Sequence, residues 1–165
     1  MTPEQSRRDE AGRWLAQAQK DLNAARLLAS PEPSRSVFHS QQAAEKAAKA
    51  FLVFHDVPFR KTHDLNELGE QCAALDSSLV PLFKEAADLT DYAVLFRYLD
   101  APREPDEGEA SVALETALRV FQGVSALLAP QAKGENRVEA AQSPDRVDPK
   151  GTAPDRKSTR LNSSH

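Results

Sequence analysis

The chain has little cysteine, glycine or aromatic content, and each shortage removes a class of protein from consideration. A single cysteine, Cys72, among 165 residues excludes an internal disulfide and a cysteine-rich metal site, and it suits a reducing compartment. The few glycines form no Gly-rich loop of the kind that cradles phosphate. HExxH, a nucleophile elbow and Cys/His clusters at metal-ligand spacing are missing too, so neither a metal nor a cofactor is expected. No stretch approaches the ~20 apolar residues that cross a bilayer, and the N-terminus lacks the apolar segment of a signal peptide. A cytoplasmic protein with no membrane attachment is therefore expected. Positive charge is also short, with 21 Lys and Arg against 25 Asp and Glu. The acidic excess grows if only Met1–Pro130 is counted, because the residues beyond are richer in Lys and Arg than in Asp and Glu. That balance opposes a general nucleic-acid coat, whose affinity comes from many phosphate contacts, and leaves room for a local basic site.

What is present is helical periodicity. The apolar spacing predicts five helical segments before Pro130 and no strand. The first runs from about Arg7 to Ala29, with Ser6 and Asp9 at capping-box spacing, and stops at Ser30–Pro33 because proline cannot continue the ladder. The second covers about Arg35–Asp56. A short third begins near Asp64, with Glu67 at capping-box spacing and Cys72 on its apolar stripe as a small core residue. The fourth follows Ser77 and Ser78, carries Pro81 in its first turn and reaches about Tyr98; its inner residues include Leu79, Phe83, Ala86, Leu89, Ala93 and Phe96. The fifth, about Glu109–Leu128, has the cleanest stripe. Four long amphipathic helices with short connections predict an all-α fold, an antiparallel up-and-down four-helix bundle with the third segment as a cross-piece.

The second segment carries two opposed stripes. On a helix, Val37, Ala44, Ala47, Ala48, Phe51 and Leu52 gather on one face, whereas Arg35, His39, Gln42, Lys46 and Lys49 line the other. The basic strip reads either as a solvated face or as a surface for a partner, a second copy or nucleic acid. Glu45 and Lys46 are expected to form surface pairs. His63, in the run Arg60-Lys61-Thr62-His63-Asp64, also reads two ways. It is a structural residue beside a helix cap, or part of a phosphate- or nucleotide-facing cleft with Lys46, Arg60, Lys61 and Arg97. Arg97-Tyr98 either completes a helix end or contacts a partner.

Beyond Pro130 the composition changes. Residues 131–154 are polar, with Gly and Pro and no apolar period, and are expected to be a disordered tail. Residues 155–165, DRKSTRLNSSH, resemble a codon-for-codon translation of a common sequencing-library adapter, so they are set aside from the fold and the natural C-terminus is expected to lie elsewhere.

The stretch FHSQQAAEKAAKAFLVFHDVPFRKTHDLNEL (Phe38–Leu68) resembles the core signature of the HEPN family, the helical domain of higher eukaryotes and prokaryotes. The opening WLAQAQKDLNAARLL, the segment LTDYAVLFRY at Leu89–Tyr98 and the alanine-rich last helix agree with it, in the family's order. The resemblance implies a helical bundle that often forms homodimers. It also implies pairing with a minimal nucleotidyltransferase in toxin–antitoxin or defence modules.

Many HEPN proteins are metal-independent ribonucleases that use an arginine and a histidine with four to six residues between them. In that chemistry histidine moves a proton and arginine stabilises charge on phosphate. Here Arg97 is followed by no such histidine, while Arg35–His39 and Arg60–His63 are too closely spaced. The literal match, Arg160 to His165, falls in the adapter-like segment. A binding or regulatory subunit is the leading expectation. A ribonuclease with a rearranged Arg97/His63 site, or a nucleotide-binding module using Lys46, Lys49, Arg60, Lys61 and His63, is the alternative.

Overall fold

A computed structural model describes residues 1–95 and 103–130, with the backbone alone described at 93–95. The first compact unit spans Met1–Ala129. Its described residues are all-α: α1 is Pro3–Leu28, α2 Pro33–Phe54, α3 Leu65–Leu75, α4 Val80–Leu95 and α5 Glu107–Leu128, with a single 3-10 turn at Ser77–Leu79.

Helix ends follow local chemistry, and several differ from expectation by a few residues. α1 begins at Pro3, before the expected Arg7, because Thr2 and Gln5 form the capping box instead of Ser6 and Asp9. The Thr2 hydroxyl accepts from the Gln5 amide at 3.1 Å, and the Thr2 amide donates to the Gln5 side chain at 2.8 Å. The expected box at Asp64 is a single cap: its carboxylate accepts from the Asn66 amide, while Glu67 turns to Arg60. α2 closes with the Val57 amide donating to Leu52 and the Asp56 amide to Val53, around an Asp56 in the left-handed region at φ 58°. Aspartate tolerates that conformation better than most residues do, and here it fills the place glycine usually takes. Asp106 caps α5 by accepting from the Glu109 amide at 2.8 Å.

α2 is the central element, packed against α1, α3, α4 and α5. Its alanines explain how: Ala43, Ala44, Ala47, Ala48 and Ala50 are fully buried and let neighbouring backbones approach on several sides. Phe51 and Leu52 fill the core with Leu22 of α1, Leu65 and Leu68 of α3, Phe83 and Leu89 of α4, and Val120 and Val124 of α5. Ala93 and Phe96, expected to join them, lie outside the described side chains. Cys72 is fully buried, as its stripe predicts, and its thiol donates to the Ala48 carbonyl at 3.5 Å. Among the described residues α5 is the helix long and apolar enough to span a membrane, and its apolar stripe, including Ala113, Ala117 and Val120, is packed in the core.

Candidate functional site

The basic strip of α2 is not a solvated face. Lys49 is only 8 % exposed, Lys46 and His39 are half-buried, and Arg35 alone is exposed. The correction has a simple cause. α1 covers this side of α2 and brings Asp21, itself 8 % exposed, against it. The Asp21 carboxylate accepts from Lys46 Nζ at 2.6 Å and from His39 Nδ1 at 2.8 Å.

A second carboxylate lies on α2 itself, beside the basic strip. Glu45, expected in surface pairs, is 3 % exposed. It accepts from Lys49 Nζ at 2.7 Å, from His63 Nδ1 at 3.1 Å, and from the Gln41 and Gln42 amides at 3.2 and 3.4 Å. Because an ionised carboxylate only accepts, Nδ1 of each bound histidine carries the hydrogen. Lys49 Nζ also lies 5.6 Å from the Trp14 ring centre and 5.9 Å from that of Phe59, which stabilises a desolvated cation. Buried charges persist when paired and hydrogen-bonded, and both carboxylates meet that condition with one lysine and one histidine each.

His63 is held from three directions. Its ring bonds Glu45, and its carbonyl accepts from Gln41 Nε2 at 3.1 Å and from the Thr90 hydroxyl at 3.4 Å. Thr90 also receives the Leu65 amide at 3.1 Å, which ties the start of α3 to α4. Yet the His63 side chain remains 76 % exposed. His63 is thus anchored beside a helix cap, as its structural reading expects, while its imidazole is open to solvent.

The other candidates disperse. Arg60 makes a two-pronged pair with Glu67 at 2.7 and 2.9 Å; that contact holds the Glu67 carboxyl below its ordinary value and raises the guanidinium. Lys61 is exposed and makes no ion pair among the described residues. Arg97 and Tyr98 lie outside the described residues. Lys46, Lys49, Arg60 and His63 are therefore each engaged by an internal carboxylate. Among the described residues no group of three or more His, Cys, Asp or Glu side chains is arranged to hold a metal.

The described residues are all-α, with a buried alanine-rich second helix and a His-Asp pair opening the third, and residues 11–127 match the family described as HEPN domain. The chain belongs to the HEPN family. No curated protein and no solved structure matches it. The HEPN match takes in Asp21, Glu45 and every residue they hold. It contains three histidines, and none follows an arginine at the ribonuclease spacing. His39 and His63 are tied to carboxylates, and the His55 ring packs 4.5 Å from that of Phe51.

The acceptors Asp21 and Glu45 were absent from the sequence-derived candidates. One signal was available for each. Asp21 lies between Ala18 and Ala25 on the buried side of α1, and Glu45 lies one turn before Lys49 amid alanines.

Proposed function

We propose that this HEPN-family chain acts as a binding or regulatory subunit of a toxin–antitoxin or defence-type module, with a nucleotidyltransferase-like partner. The scaffold we infer is an antiparallel up-and-down four-helix bundle with α3 as cross-piece, assembled as a homodimer. The observation that carries this reading is the missing Arg-to-His spacing within residues 11–127. The engagement of Lys46, Lys49 and Arg60 by carboxylates supports it, since neutralised cations attract phosphate weakly.

The deciding experiment is an RNA-cleavage assay on the full chain, with His165→Ala included to remove the literal match near the C-terminus. No cleavage is expected from either protein. Cleavage that survives His165→Ala and disappears with His63→Ala or Arg97→Ala would overturn the reading in favour of a ribonuclease. One observation favours that rival: an exposed imidazole oriented through Nδ1 by a buried carboxylate is the arrangement of a general base. Nucleotide binding is tested separately, because a ligand specific for the native state must raise its melting temperature. Millimolar ATP is expected to leave it unchanged.

A further inference from the structure

Between α4 and α5 runs an open groove of about 540 Å³, outside both carboxylate centres. Its apolar part is made by Leu89 and Tyr92 of α4 and by Val112 and Ala113 of α5, and Val112 is 62 % exposed. Val112 thus adds exposed apolar surface at the edge of an apolar hollow. The rim is acidic: Glu85 and Asp88 on one side, Asp106 and Glu109 on the other, with no Lys, Arg or His lining it among the described residues. Outside the groove Arg119 pairs with Glu85 at 2.7 Å and Arg103 with Glu109 at 2.8 Å. Asp88 has no ion-pair partner among the described residues, whereas Asp106 caps α5 and lies in the field of Arg103.

We propose that this groove receives an amphipathic helix of a different polypeptide, presenting apolar anchors flanked by lysine or arginine. Charge complementarity selects the occupant. Apolar anchors would cover Val112 and Leu89, while flanking cations would meet Asp88 and Asp106. A second copy of this chain fits worse. A two-fold contact centred on the groove would set two acidic rims face to face, with Arg103 and Arg119 already taken up by Glu109 and Glu85. The inference rests on the reading of the chain as a binding subunit and specifies the chemistry of its partner.

The test is fluorescence anisotropy with the full chain and two labelled peptides sharing a leucine stripe, one flanked by lysines and one by glutamates. The lysine peptide is expected to bind and the glutamate peptide not to. Asp88→Lys and Val112→Glu should each weaken binding about tenfold, while Glu70→Lys on α3 leaves it unchanged. Equal binding of the two peptides, or an affinity unmoved by Asp88→Lys and Val112→Glu, would overturn the proposal. So would sedimentation velocity showing a dimer that Val112→Glu dissociates, which would assign the groove to a second copy. RNA cleavage by the chain would remove the binding-subunit reading without changing these affinities, so the two failures are distinguishable.

Discussion

Asp21 and Glu45 sit in the seams around α2 with a lysine and a histidine each, whereas Asp88 and Asp106 border an open groove with neither. All four are carboxylates on or beside amphipathic helices, and in sequence they look alike. The difference lies in what faces them. Around α2 the buried charges are matched inside the molecule, so the polar network holds α1, α2 and the segment before α3 in one arrangement. In the α4–α5 groove Glu85 and Glu109 pair with arginines at the border, and Asp88 is left without an ion-pair partner among the described residues.

The contrast breaks most readily at Glu45. Glu45→Ala would leave Lys49 buried without a counter-charge and remove an acceptor from Gln41 and His63, so a loss of about 3–5 kcal/mol is expected in urea unfolding. If pairing is the cause, Glu45→Leu combined with Lys49→Leu should cost less than Glu45→Ala alone, because both charges leave together. Asp21→Ala should cost less, about 2 kcal/mol, since Lys46 and His39 can turn toward water. Smaller still is an acid-side effect. Glu67 is held below its ordinary value chiefly by the hydrogen bond from Arg60. The stabilisation is therefore present above the unfolded carboxylate value and is lost as pH falls through the folded one. Melting temperature followed against pH should decline less steeply on the acid side in Glu67→Gln. At the other extreme, Asp88→Lys should leave stability within about 0.5 kcal/mol of the parent, because nothing internal depends on that charge.

Much of the fold was legible because period and punctuation agree. The stripe of α5, the break after α1 and the cap at Asp64 all reappear, while boundaries moved by a few residues, at Thr2 through another capping box and at Pro33 with no side-chain cap. The polar centre was legible by halves. Lys46, Lys49 and His63 could be picked out as residues of interest, but not the carboxylates that hold them. Lys46 meets Asp21 across 25 positions, and His63 meets Glu45 across 18. Periodicity within one helix reports which residues share a face, and it is silent about whether a second helix will cover that face. α2 shows the consequence, since small alanines on its supposed outer side admit α1 and turn a charged strip into an interior seam.

Cys72 makes the interior of this protein accountable in time. Burial pushes its thiol up to about 12, and no other thiol exists in the chain. At neutral pH the native state therefore offers almost no thiolate to a disulfide reagent. The labelling rate should measure how often α3 lifts away from α2, and variants that loosen the Glu45 centre should quicken it in proportion to their loss of stability. A residue with no assigned part in binding or chemistry thus serves as an internal clock for the opening of the helices around it.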